Sequence, residues 1–252
     1  MATARGSWVA DTLASLGLLT RLPVPPVDPA RTHGADAAWS WPLAGLVVGA
    51  MGAVVASLLL WLGLPAPVAA LGLVAAQVAA TGALHEDGLA DSLDGLWGGW
   101  ERARRLEIMA DSRIGAYGVI GLVLGLTLRW QLWALVIAAG WLWPAALALG
   151  MASRAPMAVL SAALPPARKG GLSHRVGAPS PRSAAGAVAL GGLALVLLGW
   201  AAPLVLVAIA AVAWGWARIA SARIGGQTGD ILGAVQQLSE IAGLLALPAL
   251  AG

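Results

Sequence analysis

The chain has 252 residues, of which 59% are hydrophobic and only 11% are charged, and its mean hydropathy is +0.81. Soluble domains carry roughly 25% charged residues, so this composition excludes an ordinary soluble globule and predicts an all-α polytopic membrane protein. Long apolar runs without alternation exclude a transmembrane β-barrel. The chain has no cysteine, which excludes disulfides and thiolate chemistry. The net charge of +3 does not indicate nucleic acid, because basic residues commonly set the topology of membrane proteins.

The first predicted element is an interfacial segment over residues 1–37. Residues 7–22 favour a short helix with Trp8, Leu16 and Leu19 as apolar contacts, and a proline-rich stretch ends it. The segment lacks the features of a cleaved signal peptide, so we expect none to be removed.

Apolar runs then predict about seven transmembrane helices, since crossing the hydrocarbon takes about 20 apolar residues. Gly45 and Gly49 lie in the first run at the spacing that lets membrane helices approach closely. We treat residues 1–252 as a single integral membrane domain. The predicted spans are 40–62, 66–84, 114–136, 140–160, 184–200, 203–220 and 231–251.

The basic residues fall into alternate loops of this topology. They precede the first span and follow the second, fourth and sixth spans, while the intervening short loops have none. The positive-inside rule therefore predicts a cytoplasmic N-terminus and an external C-terminus. Most acidic residues share the cytoplasmic side, so we expect polar chemistry at one membrane face, which argues against a channel.

The acidic residues are concentrated in the predicted cytoplasmic segment 85–113, which holds seven of the twelve in the chain. Asp87, Asp91 and Asp94 are spaced so that they share one face of a helix. Like charges at this spacing repel, and Mg²⁺ relieves such repulsion while bridging carboxylates to substrate phosphates. The pattern favours a metal–phosphate site over a solvated acidic loop balanced by the following arginines. Gly88 either loosens the helix or lets a ligand approach its backbone.

Flanking residues extend this candidate site. His85 is either a structural hydrogen-bonding residue or a base that contacts substrate. Asp111 is either a further metal ligand or a helix cap, and Arg113 either binds phosphate or anchors the interface. The local sequence does not decide between these alternatives.

Two later segments carry further candidates. The glycine-rich loop with Arg168 and Lys169 suits an anionic substrate, although by itself its sequence is explained better as a basic loop that sets the topology. Asp230 precedes the last span, and Glu240 lies about 15 Å farther along a helix. A carboxylate at that depth usually marks function with a partner nearby, and Arg154 is one candidate partner.

Together these motifs resemble the cobalamin synthase family, the adenosylcobinamide-GDP ribazoletransferases. The matching segments are 18–25, 41–49, 82–96, 104–119 and 225–234, with Glu240 beyond them. The resemblance covers nearly the whole chain in the family's order. Glu86 departs from the family pattern, which usually has an apolar residue there, and the loop at 168–172 is also a looser match.

The resemblance implies a Mg²⁺-dependent enzyme of the bacterial inner membrane. It transfers adenosylcobinamide phosphate from adenosylcobinamide-GDP to α-ribazole or its 5′-phosphate, with release of GMP. By this resemblance Asp87, Asp91, Asp94 and Asp111 hold the metal, and these residues or His85 perform catalysis. The expected partners are the two substrates, membrane lipid, other enzymes of the cobalamin pathway and a second copy of the chain. The expected substrate-binding residues are Arg113, Arg154, Arg168, Lys169, Asp230 and Glu240.

Three other readings remain. The Asp91–Gly95 core is similar to CDP-alcohol phosphotransferases in expected fold and mechanism, but Leu96 and Trp97 follow it where that family's signature has Ala-Arg. An intramembrane prenyltransferase would need a second acidic motif. A divalent-cation transporter would need acids spread through its spans rather than collected at one face.

Overall fold

A computed structural model describes residues 6–247, apart from the side chain of Leu172. These residues form twelve α-helices and no strand, with one isolated parallel bridge between Pro166 and Gln227. The predicted all-α architecture is therefore confirmed. The helices are α1 (Trp8–Leu19), α2 (Trp41–Trp61), α3 (Ala66–Thr81), α4 (Leu84–Gly98), α5 (Arg102–Ile108), α6 (Ala116–Ala138), α7 (Leu142–Ala152), α8 (Ala155–Ala163), α9 (Gly171–Val176), α10 (Pro181–Leu195), α11 (Ala202–Ile224) and α12 (Gly229–Ala246).

The described residues contain four helical stretches long and apolar enough to cross a membrane, or five if α3 and α4 count as one bent span. The predicted number of seven is not confirmed. Helix α3 has only 16 residues, and α10 and α11 count as one stretch because a short 3-10 helix joins them. Helix α12, which carries Asp230 and Glu240, is not one of the four stretches. The span predicted there ends at residue 251, beyond the described residues. The four stretches are Gly34–Trp61, Ala116–Ala138, Leu142–Ala163 and Pro181–Ile224.

Glycines allow α2 and α7 to pack backbone against backbone. A Cβ added at Gly45 would lie 1.9 Å from the carbonyl oxygen of Gly150, and one at Gly49 would lie 2.2 Å from that of Ala146. Real side chains cannot occupy such distances, so the small residues at this crossing are required. The spacing noted in the sequence therefore marks a helix contact.

A sharp bend of 86° separates α3 from α4. Gly82 and Ala83 form the bend, and both have left-handed backbone conformations, which is unusual for Ala83 because its Cβ is crowded there. After the bend, α4 runs antiparallel to α6, with Leu89 against Gly125 and Leu93 against Gly121. The bend directs the acidic motif away from the path of α3, so we place α4 outside the four spanning stretches.

The N-terminal segment is held together by buried Asp11 in α1. Its carboxylate accepts hydrogen bonds from the backbone nitrogen of His33 at 2.9 Å and from the indole nitrogen of Trp39 at 2.9 Å, and it pairs with Nδ1 of His33 at 2.7 Å. Burial raises the pKa of Asp11, but these interactions outweigh burial and hold the pKa below its ordinary value. The predicted short helix is confirmed, whereas residues 1–5 of the predicted segment 1–37 lie outside the described residues.

Candidate active site

A cavity of about 160 Å³ lies where the start of α4, the start of α12 and the loop before α9 meet. Its polar lining includes four residues from these three regions and one from α9 itself: His85, Asp87, Arg168 and Asp230, with His174 from α9. Four of them were predicted as site residues, so the fold brings together side chains that are up to 145 positions apart (85 to 230) in the sequence. Lys169 is exposed in the same loop, next to Arg168.

Two glycines set the distance between α4 and α12. A Cβ added at Gly88 would lie 2.9 Å from the carbonyl oxygen of Asp230, and one at Gly233 would lie 3.3 Å from Cα of His85. The close crossing places Asp87 and Asp230 on the same cavity. Gly88 therefore allows α4 and α12 to pack closely. The sequence had suggested two other roles, to loosen the helix or to let a ligand approach its backbone.

The basic loop is fixed to the start of α12 by backbone pairing. The nitrogen of Gln227 donates to the oxygen of Pro165 at 2.9 Å, and the nitrogen of Ala167 donates to the oxygen of Gln227 at 2.8 Å. Arg102 adds a hydrogen bond from Nη2 to the oxygen of Ala167 at 2.9 Å. Arg168, the next residue, donates to Oδ2 of Asp230 at 3.2 Å. The loop therefore forms one wall of the cavity and holds the guanidinium of Arg168 beside the carboxylate of Asp230.

Negative charge accumulates around Asp91, which is half-buried one turn beyond Asp87. Burial is the largest cause that raises the pKa of Asp91 to about 7, followed by the charges of Asp87, Asp230 and Asp94, whereas Arg168 acts in the opposite direction. Burial also raises the pKa of Asp230, although Arg168 and Thr228 act in the opposite direction. Because the carboxylates repel one another, the site favours binding of a cation or a cationic group.

Asp94 has a structural role that the sequence analysis did not predict. Its carboxylate accepts hydrogen bonds from the backbone nitrogens of Gly115 at 2.6 Å and Gly118 at 2.9 Å. These are unpaired donors at the start of α6, so Asp94 caps that helix from another element. Its predicted role as a metal ligand stays a prediction, with both oxygens already engaged.

Asp111 and Arg113 lie apart from the first cavity, beside a second pocket of about 500 Å³ that Asp94 and Arg104 also line. They pair with each other, Nη2 of Arg113 to Oδ2 of Asp111 at 2.7 Å. Hydrogen bonds from Arg113 are the main reason that the pKa of Asp111 falls to about 2. Within residues 6–247 no group of three His, Asp or Glu side chains could hold a metal ion by itself. The four predicted metal ligands are therefore not gathered at one point.

A buried polar network surrounds Arg129 of α6, which is 1% exposed. Its guanidinium donates to Glu86 Oε1 at 2.8 Å, Gln237 Oε1 at 3.0 Å and Gln77 Oε1 at 2.7 Å, and it contacts Glu240 at 3.2 Å. The network joins α3, α4, α6 and α12. Glu86, the residue that departs from the family pattern, is thus one of two carboxylates that neutralise a buried arginine.

Glu240 lies deep in the interior, as predicted, but its ion-pair partner is Arg129. Trp133 and Gln236 also donate to its oxygens, at 3.3 Å and 3.1 Å. Arg154 is 2% exposed and donates from Nη1 to the oxygen of Gly150 at 2.8 Å. Neither Glu240 nor Arg154 lines the cavity, so their predicted contact with substrate stays a prediction.

Sequence reasoning missed Arg129 as the centre of this network and His174 as part of the cavity lining. Arg129 had a detectable signal: it is a lone cation inside an apolar run, and a buried charge needs a partner. Arg129 lies about as many residues from the start of α6 as Glu240 lies from the start of α12, so the two residues are at similar positions along their helices. His174 had no comparable signal, because a basic loop explains a histidine there without further cause.

The helices and the cavity together define an all-helical protein of the multi-pass membrane type, with a charged site between helix ends. Residues 11–248 match the model of the cobalamin-5-phosphate synthase family, and the chain belongs to that family. This confirms the family predicted from the motifs.

The curated relatives share nearly the whole length of the chain. It is 48% identical over 241 residues to adenosylcobinamide-GDP ribazoletransferase of Bradyrhizobium diazoefficiens, which covers 94% of this chain and 92% of that protein. The enzyme of the same name from Mesorhizobium japonicum is 44% identical, covering 93% and 91%. No solved structure matches the chain, so the predicted likeness to CDP-alcohol phosphotransferases is not confirmed.

Proposed function

We propose that the protein transfers adenosylcobinamide phosphate from adenosylcobinamide-GDP to α-ribazole or its 5′-phosphate and releases GMP. The observation that carries the proposal is the cavity in which Asp87, Asp230 and the guanidinium of Arg168 face one another, with Asp91 nearby. Such a site can bind a cation at its carboxylates and a phosphate group at the guanidinium of Arg168. The names of the relatives supply the substrates, and their near-complete overlap with this chain supports the assignment.

The chemistry is a displacement at phosphorus. A hydroxyl oxygen of ribazole forms a bond to the phosphorus on the cobinamide side, and the bond from that phosphorus to the bridging oxygen breaks. GMP leaves with the bridging oxygen and its electron pair. The hydroxyl proton passes to a carboxylate of the cavity or to His85, whose two ring nitrogens have no hydrogen-bond partner in the described residues. Arg168 neutralises charge on the diphosphate.

We propose Mg²⁺ as the cofactor. The residues fit a shared site, because Mg²⁺ commonly takes one or two carboxylates and fills its other positions with water and substrate phosphates. Asp87 and Asp91 are the best-placed ligands. The charge of Asp87 acts on Asp91, and Arg168 opposes this effect only in part, because the pKa of Asp91 remains raised. When bound, the ion would neutralise the diphosphate charge in the transition state. Asp94 and Asp111 are weaker candidates because their oxygens already serve Gly115, Gly118 and Arg113.

The test uses the purified full-length protein in lipid with adenosylcobinamide-GDP, α-ribazole 5′-phosphate and Mg²⁺. We expect GMP and a cobalamin product in equal amounts, and loss of both when EDTA is present. A folded protein that forms neither product would refute the proposed reaction. Turnover that is indifferent to EDTA would refute the cofactor alone.

The first predicted substitution is Asp91→Asn, which keeps the shape of the side chain and removes its charge. We expect kcat to fall by at least about 100-fold, because charge neutralisation at a phosphoryl-transfer site has effects of this order. The matched control is Glu101→Gln, an exposed acid at the start of α5, which should keep wild-type turnover. Normal kcat of Asp91→Asn at saturating Mg²⁺ would show that Asp91 is not a ligand.

A further inference from the structure

The cavity has an apolar side that the proposed reaction does not yet use. Leu19, Trp41, Met157 and Leu232 line it and belong to one buried hydrophobic cluster, and Leu18 packs against them. They come from α1, α2, α8 and α12, so four elements converge to form this surface. The charged lining, by contrast, comes from α4, the loop before α9 and the start of α12.

We propose that this apolar side, which we call the base subsite (Leu18, Leu19, Trp41, Met157 and Leu232), binds the aromatic base of the acceptor nucleoside. The inference rests on the proposed function, and it assigns one substrate to one part of the cavity. The acceptor's ribose would then lie toward Asp87 and Arg168, where the phosphoryl group is exchanged.

Size limits the occupant to a small ring system. The whole cavity, of which the base subsite is one side, has a volume of about 160 Å³, similar to an apolar cavity of about 150 Å³ that accepts benzene in another protein. A corrin is several times larger and does not fit between these side chains. The corrin of the donor must therefore remain outside the subsite, which leaves a nucleoside base as the group that enters.

The chemistry of the lining favours the base of ribazole over guanine. Guanine presents an amide and an amino group, and burial of a polar group without a hydrogen bond is costly. The base subsite offers leucine, methionine and the ring of tryptophan, which suit the methylated benzimidazole of ribazole. Trp41 is 4% exposed, and its ring can contribute to stacking with a flat base.

His85 packs beside Gly233, the residue after Leu232 of the base subsite, and lies two residues before Asp87. It is 1% exposed, it lines the cavity, and both its ring nitrogens have no partner in the described residues. A buried histidine in this condition is costly unless a ligand supplies the hydrogen bond. A ribose hydroxyl beside the base subsite would supply it, which places the attacking group within reach of His85 and the carboxylates.

The test fills the subsite with Met157→Phe and measures both substrates separately. We expect the KM for α-ribazole and its Kd by equilibrium binding to rise at least about tenfold, as for a ring displaced from an apolar pocket. The KM for adenosylcobinamide-GDP should stay within about twofold. Val159→Phe is the matched control: it adds a ring two residues away on α8, at a site 36% exposed that lines a different groove, and both constants should stay at wild-type values.

Leu18→Phe is a second variant if Met157→Phe fails to fold, because Leu18 is only partly buried. A rise in the donor's KM with an unchanged acceptor KM would overturn the inference and assign the subsite to guanine. Met157→Ala provides the reverse test and should accept a ribazole analogue with one more fused ring. Failure of the wild-type protein to release GMP would refute the proposed function, whereas ribazole binding that is lost in Met157→Phe would still support the subsite.

Discussion

The four aspartates predicted as metal ligands divide into two that stabilise the fold and two that are available to bind a ligand. Asp94 caps α6 and Asp111 pairs with Arg113, so each carboxylate is already occupied. Asp87 is exposed to the cavity, and the pKa of Asp91 is raised to about 7 by burial and then by the negative charges around it. Four aspartates that look equivalent in the sequence therefore differ in their capacity to bind a ligand.

The Arg129 network makes a prediction at this scale. Arg129→Met leaves Glu86 and Glu240 buried without their cation, and breaking a buried pair in this way costs about 3–5 kcal/mol. We expect a large loss of thermal stability in detergent, measured by the unfolding of the purified protein.

The control for this prediction is Arg218→Met, which removes an exposed arginine from α11 and should leave stability nearly unchanged. Combining Arg129→Met with Glu86→Gln and Glu240→Gln removes the orphaned charges and should recover part of the loss. Equal stability of the two single variants would mean that the network contributes little to the fold.

At the scale of elements, close helix crossings build the site. Helices α4 and α12 cross at Gly88 and Gly233, and α4 and α5 meet at Gly95, where an added Cβ would lie 2.1 Å from Cγ of Met109. The left-handed turn at Gly82 and Ala83 aims α4 at this crossing. The acids reach the cavity because these glycines leave no side chain between the helices.

Gly88→Ala is the corresponding prediction. The added methyl would press on the backbone of Asp230, which cannot move aside as a flexible side chain can, so α4 and α12 should separate by several tenths of an ångström. We expect kcat to fall at least about tenfold with the protein still folded, because small displacements of reacting groups are costly. Gly98→Ala on the same helix, where the nearest atom is 3.8 Å away, should keep full activity.

At the scale of the whole molecule, many polar contacts of the described residues lie at helix ends. The cavity, the cap of α6 and the pairing of Arg102 with Ala167 and Ile224 all lie at helix ends. The buried network extends from Glu86, in the first turn of α4 between two cavity residues, to Arg129 and Glu240 farther along α6 and α12. Because α4 and α6 run antiparallel, the cavity at the start of α4 lies away from the cap at the start of α6.

The absence of cysteine from the sequence allows a direct test of orientation. Ser112→Cys and Ala139→Cys flank α6 and are both exposed. In intact cells we expect a membrane-impermeant maleimide to label the cysteine at 139 and to label the cysteine at 112 only after lysis. Labelling of the cysteine at 112 from outside would reverse the predicted orientation.

The sequence by itself determined the membrane class, the helical architecture and the family, because apolar run length, charge placement and linear motifs are local properties. It also located the acids, since Asp87, Asp91 and Asp94 follow one another on one helix. Only the tertiary structure decided which acids remain free, that Glu86 and Glu240 share Arg129, and that Arg168 meets Asp230. These are contacts between distant segments, and they depend on helix crossings and a bend whose direction local sequence does not specify.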